Sequence, residues 1–569
     1  MSKNEQLTRF ERAVRSLQFM GEGQQREDAE AKRDRILGLF SDKIIQELKT
    51  SRPLIAVVAG GTNVGKSTLV NGLIGKAVTT VSVLARGTKT PVICGSDQTI
   101  SWLENHGFLD RVQLYRQDGP AGCDVPETSG SYVIATEPFP PHQLLVIDSP
   151  DMDSEYDANR VWATRLMDTA DIVILVTTPE KYHDEVVCRF LERCVFLGRS
   201  LCAVFNKSIE DDAYDDFVSS VWRPATGTQP VFRIDWISER SQSYLYDEIR
   251  KFVVSLESKT NDIKRQALKG SVKTLREETF ELLQIFEMEQ QWLSDLHAHM
   301  DASLDTVCKT YRNDIAGEKF EELDRVFGRL LFELKIPILD DFYGGIRSVG
   351  KTVWHHVGRL AGLSGGASER ERARNAREVD RVIDSSVSLR IDLEDTLQRT
   401  PRGMNSHAKE WLRILPLPLK RQEIDPFLLL LNEHIESWIR DETQEISRRL
   451  AGKPGLRKFI IAMKATLQVG SGVVGAVLTG GLEPADLALA PVVERMSAYL
   501  IERGIGYSYF RRSRVRLLDA RTRCLRDFLL KRYLHPLQDT IPDPDERLSD
   551  DIKSQLDTVS LIADEVNHA

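Results

Sequence analysis

The chain has 569 residues, of which 41% are hydrophobic and 28% are charged. At roughly 150 residues per domain this length predicts about three or four structural units, and the composition is too hydrophobic for an intrinsically disordered chain. The formal net charge is −9, from 76 Lys and Arg against 85 Asp and Glu, which disfavours a protein whose whole surface binds nucleic acid. We therefore expect no DNA partner.

The cysteines and the apolar segments indicate where in the cell the protein is located. Seven cysteines show neither a CxxC pair nor a metal-ligand spacing, which predicts reduced core thiols. The N-terminus lacks the apolar run of a signal peptide, so a cytoplasmic protein is expected. The longest stretch without charge, 465–482, spans 18 residues but contains five glycines and several polar residues, which weaken the signal for membrane insertion. Peripheral membrane association stays open.

The first half of the chain alternates between strand and helix patterns. Helical periodicity over about residues 5–50 predicts one or two amphipathic helices before the first strand. Short apolar, β-branched runs then predict buried strands at 54–59, 91–95, 131–136, 144–148, 171–178 and 201–206. Helical patterns lie between several of these strands, at 67–73, 159–168 and 183–194. The alternation predicts a doubly wound, mostly parallel α/β sheet.

The second half changes character after about residue 256. Strand-like alternation nearly disappears, and helix-period stretches replace it at 258–335, 372–413, 424–450 and 495–536. Four domains are therefore predicted: an N-terminal helical segment (1–50), an α/β domain (51–255), a helical bundle or stalk (256–538) and an acidic C-terminal tail (539–569).

The strongest motif is GGTNVGKST at 60–68, which satisfies the phosphate-binding pattern GxxxxGK[ST]. It lies between a predicted strand and a predicted helix, so its backbone N–H groups can converge on phosphate oxygens at the positive end of the helix dipole. Lys66 is expected to reach the β- and γ-phosphates, and the Ser67 hydroxyl to ligate Mg²⁺. The predicted nucleotide-binding residues of this loop are Gly60, Gly61, Thr62, Asn63, Val64, Gly65, Lys66, Ser67 and Thr68.

With this loop the chain resembles the translation-factor class of P-loop GTPases. The resemblance implies an Asp at the end of a buried strand that orients the Mg²⁺ shell through a water, and LLVIDSPD at 144–151 supplies Asp148. This segment resembles the family's DxxG motif, but Asp151 replaces the Gly whose amide senses the γ-phosphate. Met152 stands where Ras-like enzymes have the glutamine that orients the attacking water, and a thioether cannot do that. The resemblance then implies that another group organises catalysis.

Two assignments from the resemblance leave alternatives open. Asn63 occupies the position where potassium-dependent GTPases have an Asn that ligates a monovalent cation, so K⁺ is a candidate cofactor; Asn63 is equally a small polar residue that shapes the loop. The segment LARGTKTPV at 84–92 resembles switch I of dynamin-like GTPases, which favours Thr88 over Thr90 as the threonine that closes over Mg²⁺. The predicted catalytic residues are Lys66, Thr88 and Asp148. The predicted metal-site residues are Ser67, Thr88 and, through water, Asp148.

Base recognition departs most from the family pattern. GTPases of this class read guanine with the carboxylate of an NKxD motif after a buried strand. The segment FNKSIEDD at 205–212 supplies Asn206 and Lys207, both predicted to bind nucleotide, but Ile209 replaces the Asp. Either one of the three acids at 210–212 reaches the base through a shifted turn, or base specificity is relaxed. GTP remains the predicted substrate.

The spacing and the long helical region are similar to those of dynamin-like GTPases. Lys66 and Asp148 are 82 residues apart, which implies an enlarged switch I region. The resemblance implies a large GTPase that binds GTP and GDP, hydrolyses GTP with Mg²⁺, and couples nucleotide state to conformational change or self-association of its helical region, as a homodimer or larger oligomer. The alternatives are a nucleotide-binding scaffold with little turnover and a ribosome- or RNA-associated GTPase.

Three segments of the helical half suggest surfaces for a partner. The glycine-rich stretch 470–493 fits either a membrane-dipping hairpin or tight helix packing, and 344–366, which contains Trp354, fits a membrane-contacting tip. Residues 511–532 carry nine basic and two acidic residues on an amphipathic pattern, which fits an anionic lipid surface or another partner. The segment 539–569 has nine acids and two bases, so it can instead neutralise that helix.

Overall fold

The computed structural model describes residues 2–49, 52–79, 90–106, 113–116, 130–135, 143–153, 157–209, 211–235, 243–318, 321–333, 369–401, 403–453, 455, 458 and 505–568. The chain divides into two compact units. The first comprises Met1–Gln291 and Asp545–Ala569, and the second comprises Trp292–Pro544. The division into four domains at the predicted boundaries stays a prediction.

The first unit contains an eight-stranded sheet. Its strands are β1 (Leu54–Gly60), β2 (Val92–Gly95), β3 (Gln113–Arg116), β4 (Gly130–Ala135), β5 (Leu144–Asp148), β6 (Ile172–Thr177), β7 (Ser200–Ser208) and β8 (Val231–Asp235). Their order across the sheet is β3-β4-β2-β5-β1-β6-β7-β8, and only the β2–β5 pair is antiparallel. The predicted mostly parallel sheet is confirmed. The sequence did not predict β3 and β8, which are the two edge strands and lack a continuous apolar run.

The helices of the first unit pack against the two faces of this sheet or form a separate apolar cluster. They are α1 (Lys3–Arg15), α2 (Gln24–Leu39), α3 (Gln46–Lys49), α4 (Lys66–Ile74), α5 (Asp97–His106), α6 (Asp157–Thr169), α7 (Glu185–Phe196), α8 (Asp211–Asp216), α9 (Arg223–Thr226), α10 (Ser243–Ser255) and the first part of α11 (Thr260–Ala316). Successive β1 side chains belong to two different apolar clusters, because strand side chains alternate between faces. This burial on both faces explains why β1 reads as a continuous apolar run.

All of the regular secondary structure described in the second unit is helical. Besides the remainder of α11, its helices are α12 (Glu321–Glu333), α13 (Glu369–Gln398), α14 (Asn405–Ile414), α15 (Asp425–Ala451), α16 (Tyr507–Leu529) and α17 (His535–Gln538). The predicted long helical region is confirmed. Within the described ranges, no helix has both the length and the apolar character needed to cross a bilayer. The segments 470–493 and 344–366, proposed as membrane contacts, lie outside the described residues.

The acidic segment at 539–569 forms mainly a helix, α18 (Glu546–His568), which belongs to the first unit. Its apolar side chains share one buried cluster with α1, α2 and the start of α11. Its acids pair with bases of that unit, for example Asp551 with Arg9 and Glu565 with Lys3, both at 2.8 Å. These pairings differ from the predicted neutralisation of the basic helix. In α16, Arg521 binds Glu378 at 2.8 Å within the second unit.

The cysteines behave as the sequence predicts. The six described cysteines are free thiols, and five of them are buried. Burial raises the pKa of the Cys94 thiol to about 12, so this thiol stays protonated and acts as an apolar core group.

A cluster of buried charges joins the segment before β1 to the start of β6. Asp171 accepts hydrogen bonds from the Arg52 guanidinium at 2.6 Å and from the backbone N–H of Ile55 at 2.9 Å, and it pairs with Lys43. Glu47 accepts a second bond from Arg52 at 2.6 Å. Burial alone raises the pKa of the Asp171 carboxyl, but the charges of Arg52 and Lys43 outweigh burial and lower the pKa. Asp171 is therefore ionised, and it anchors the N-terminal segment to the sheet.

We expect Asp171→Asn to lower the free energy of unfolding by about 3–5 kcal/mol, because it leaves Lys43 buried beside a neutral group and takes from Arg52 one of its two carboxylates. Urea denaturation at pH 7, followed by circular dichroism, measures this loss. The control is Glu185→Gln, since Glu185 pairs with Arg189 on the surface of α7, where an ion pair contributes at most about 1 kcal/mol. Equal losses for the two variants would contradict the prediction.

Candidate functional site

The predicted phosphate-binding loop connects the end of β1 to the start of α4. Because β1 lies between β5 and β6, and both run parallel to it, the loop emerges at the carboxyl edge in the middle of the sheet. The backbone of Gly65 has φ +101°, and a Cβ at that position would lie 2.4 Å from Nδ2 of Asn206. Both the conformation and the close approach require glycine.

Asn63 also has a left-handed backbone, with φ +62°. Asn adopts this region more readily than most residues, so the loop-shaping interpretation has a structural basis. The monovalent-cation interpretation stays a prediction.

Ser67 and Asp148 meet at the start of α4. The Ser67 hydroxyl donates to Oδ2 of Asp148 at 2.7 Å, and the Thr79 hydroxyl donates to the same oxygen at 3.0 Å. Asn71 fixes Thr79: its Oδ1 accepts from the backbone N–H groups of Val78 and Thr79 at 2.8 and 3.0 Å, and its Nδ2 donates to the Thr79 carbonyl at 2.8 Å. Sequence reasoning missed both Asn71 and Thr79, since neither belongs to a recognised motif.

The other oxygen of Asp148 is the feature that fits a metal ion. Oδ1 is buried and has no hydrogen-bond partner among the described residues. Burial raises the pKa of the Asp148 carboxyl, and the hydrogen bonds from Ser67 and Thr79 offset this only in part. A nearby cation would compensate the buried charge, and Mg²⁺ prefers oxygen ligands. Ser67 and Asp148 therefore fit the predicted Mg²⁺. The described ranges hold no cluster of three or more His, Cys, Asp or Glu suited to another metal.

The segment after β5 lies along the phosphate-binding loop. Asp151 forms an ion pair with Lys66, whose ammonium also donates to the Gly61 carbonyl at 2.8 Å. Asp153 accepts two hydrogen bonds from Thr62, one from its backbone N–H and one from its hydroxyl, both at 2.7 Å. The sequence showed that Asp151 departs from DxxG, but it gave no signal that this carboxylate reaches Lys66.

Met152 lies between these two acids and faces the interior. Its side chain is 5% exposed and belongs to an apolar cluster on one face of the sheet. A buried thioether neither binds nor orients a water. The inference that Met152 cannot replace a catalytic glutamine is therefore strengthened by its location.

The predicted base-reading segment supports the phosphate-binding loop. Asn206 Nδ2 donates to the Val64 carbonyl at 2.8 Å, and the Lys207 ammonium donates to the Asn63 carbonyl at 2.7 Å. The structure thus brings the Asn-Lys pair to the loop. Ile209, which replaces the base-reading Asp, is 75% exposed.

The acids after Ile209 are placed only in part. Asp211 pairs with Arg233 at the surface, Asp212 is exposed, and Glu210 lies outside the described residues. Thr88, the favoured switch threonine, also lies outside them, whereas Thr90 is described, two residues before β2. The choice between Thr88 and Thr90 stays a prediction.

The comparisons with known proteins agree with the motifs. The family model described as 50S ribosome-binding GTPase matches residues 55–207. These residues run from β1 to Lys207 and include the phosphate-binding loop, Asp148 and Asn206. The chain has no significant match among curated protein sequences.

Solved structures similar to the chain include two bacterial dynamins. One belongs to an oligomerised pair described as a mechanism for long-range sensing and tethering of membranes; it is 10% identical, with 100% of this chain and 95% of that chain covered and a TM-score of 0.40. LeoA, a bacterial dynamin GTPase from ETEC, is 12% identical over 99% of this chain and 94% of its own, with a TM-score of 0.20.

A third similar structure is Era in complex with MgGDPNP and nucleotides of 16S ribosomal RNA. It is 16% identical, covers 35% of this chain and 56% of its own, and has a TM-score of 0.24. Residues 55–207 of the present chain thus match a model of a GTPase family.

Proposed function

We propose that the protein is a Mg²⁺-dependent GTPase that couples its nucleotide state to conformational change or self-association of its helical region. The observation that carries this proposal is the Ser67–Asp148 hydrogen bond at the end of the phosphate-binding loop, with the unpartnered Oδ1 of Asp148 beside it. A strand–loop–helix that presents a lysine, a hydroxyl and a buried carboxylate together is suited to binding a metal–nucleoside triphosphate complex.

Each residue of the site has a distinct task in this proposal. The backbone N–H groups of 61–67 and the Lys66 ammonium bind the β- and γ-phosphates, which stabilises negative charge as it develops. Ser67 and a switch I threonine ligate Mg²⁺, and Asp148 orders its water shell. The metal, when bound, neutralises phosphate charge. Because the buried Met152 cannot orient the attacking water, another group completes the catalytic site, either through dimerisation or as K⁺ bound at Asn63 near the phosphates.

A nucleotide-binding scaffold with little turnover is the second candidate. Two observations favour it: Met152 points into the core, and Asp151 neutralises Lys66. Guanine as the preferred base rests on Asn206 and Lys207, while the exposed Ile209 supplies no carboxylate to read it. Relaxed base specificity is therefore compatible with either candidate.

The substrate and the reaction are tested with Lys66→Ala. We expect the wild-type protein to bind GTP more tightly than ATP and to hydrolyse it at a rate per protein that rises with protein concentration. Lys66→Ala should lower turnover by at least about a hundredfold, because it removes the cation that contacts the transferring phosphoryl group. Phosphate release and titration with fluorescent nucleotides measure these effects, and Lys251→Ala, at an exposed lysine of α10, is the control.

The outcomes of this test separate the candidates. Turnover by the wild type no greater than by Lys66→Ala, at every protein concentration and with K⁺ present, would refute the GTPase. Tight binding without turnover would support the scaffold. Stronger binding of ATP than of GTP would overturn guanine specificity.

Thr79 is expected to position Asp148 for the metal ion. Thr79→Val removes the hydroxyl that holds Oδ2, so we expect about tenfold more Mg²⁺ to be needed for half-maximal GDP binding, in the range seen for groups that orient a metal ligand. The measurement is GDP affinity across a Mg²⁺ titration. Thr99→Val removes a similarly buried hydroxyl, one that binds the Ser96 carbonyl at 3.0 Å, and should leave the titration unchanged. An unchanged midpoint for Thr79→Val would exclude this role.

The cation proposal is tested with Asn63→Gly. Glycine tolerates the φ of +62°, so the loop keeps its conformation while the amide is lost. If Asn63 ligates K⁺, the wild type turns over faster in K⁺ than in Na⁺, and Asn63→Gly loses this difference while its rate in Na⁺ stays the same. Equal rates of the wild type in both salts would leave Asn63 as a loop-shaping residue.

A further inference from the structure

Lys66, the cation of the phosphate-binding loop, is paired with a carboxylate of its own chain. The side chains of Lys66 and Asp151 are 4% and 9% exposed, and the two form an ion pair. Burial makes this pair stronger than a surface pair, because little water screens the two charges. A phosphate group that binds Lys66 must therefore either displace the Asp151 carboxylate or bind beside it.

The rest of the segment holds Asp151 in this position. On one side, the Ser149 N–H donates to the Val58 carbonyl at 3.2 Å, and its hydroxyl donates to the same carbonyl at 2.9 Å. On the other side, Asp153 binds Thr62 and pairs with Lys181. The segment that carries the Asp151 carboxylate is thus attached at both ends to β1 and its loop.

The charges at the loop determine whether Asp151 raises or lowers the affinity for nucleotide. A nucleoside diphosphate or triphosphate brings several negative charges to the loop, and Asp151 adds another within a poorly solvated site. Like charges at short range repel, and removing water from between them increases the repulsion. Asp151 must either move away from Lys66 or weaken the bound phosphate. In both cases the carboxylate lowers the affinity for nucleotide.

We propose that Asp151 is an intramolecular competitor of the nucleotide phosphate for Lys66, and so a residue that sets nucleotide affinity. Binding of the β- and γ-phosphates displaces Asp151 and so releases the segment 149–153 from Lys66. At the position where the family's DxxG motif has glycine, this chain thus links occupation of Lys66 to movement of the segment after β5. The inference rests on the proposed nucleotide binding, but it is separable from hydrolysis.

The experiment compares nucleotide affinities of charge variants of the full chain. The probes are GDP and a non-hydrolysable GTP analogue, each with Mg²⁺, titrated by calorimetry. Asp151→Asn keeps the shape and can still accept a hydrogen bond from Lys66, but it lacks the charge. We expect it to bind both probes roughly ten- to a hundredfold more tightly than the wild type, as loss of a charged competitor of this strength predicts. Without nucleotide, its thermal midpoint should fall, because Lys66 loses its counter-charge.

Three controls make the result specific. Glu192→Gln removes one negative charge from the exposed surface of α7 and should leave both affinities unchanged. The second control measures the effect of Asp151→Asn in the Lys66→Ala background. There the gain in nucleotide affinity should be at least about tenfold smaller than in the wild-type background, since the lysine for which Asp151 and phosphate compete is absent. Asp151→Gly, a second variant without the charge, should repeat the gain if Asp151→Asn folds poorly by circular dichroism.

The outcomes distinguish this inference from the proposed function. Tighter binding by the Asp151 variants only when Lys66 is present supports competition. An unchanged affinity overturns it, and so does an equal gain in the Lys66→Ala background, which would indicate simple charge repulsion. If neither the wild type nor the Asp151 variants bind nucleotide at millimolar concentration, nucleotide binding itself fails.

Discussion

The parallel pairing of β1 with β5 on one side and β6 on the other is the constraint on which the site depends. It brings the carboxyl ends of the strands to one edge, so that the phosphate-binding loop, Asp148 and the segment 149–153 are neighbours although they are distant in sequence. Burial of β1 on both faces fixes this register, because a shift by one residue would exchange its two apolar faces. The strand ends from which the site is built are therefore fixed relative to one another.

Two buried lysines of the first unit illustrate how the same interaction serves different ends. Lys43 pairs with Asp171 at the start of β6, and Arg52 is a second cation bound to the same carboxylate. These three residues anchor the N-terminal helices to the sheet. Lys66 pairs with Asp151 at the carboxyl edge of the sheet, where we propose that a phosphate replaces the carboxylate. The first pair has no competitor and is structural, whereas the second lies where a ligand is expected. A buried ion pair thus indicates function only through its location.

Local sequence predicted those parts of the site whose residues are contiguous. The loop at 60–68, Asp148 and the Asn206–Lys207 pair each belong to a short pattern attached to a strand, so strand order alone brings them together. Thr79 and Asp153 act through hydrogen bonds to groups about 70 to 90 residues away, and nothing in their own neighbourhood marks them. The edge strands were missed for a related reason: with one neighbour and partial exposure, they carry no continuous apolar run.

The contact between α1 and α18 has a consequence for how the chain folds. Arg9 and Asp551 are separated by 542 residues, yet both belong to the first unit, whose apolar cluster includes side chains from both helices. During synthesis, the part of the α1 apolar surface that α18 covers stays exposed until residues 546–568 emerge. The second unit lies wholly between them in the sequence, so its folding brings those segments closer and lowers the entropy cost of joining them. The first unit is accordingly complete only once residues 546–568 have been synthesised, and a chain interrupted before α18 lacks part of this apolar cluster.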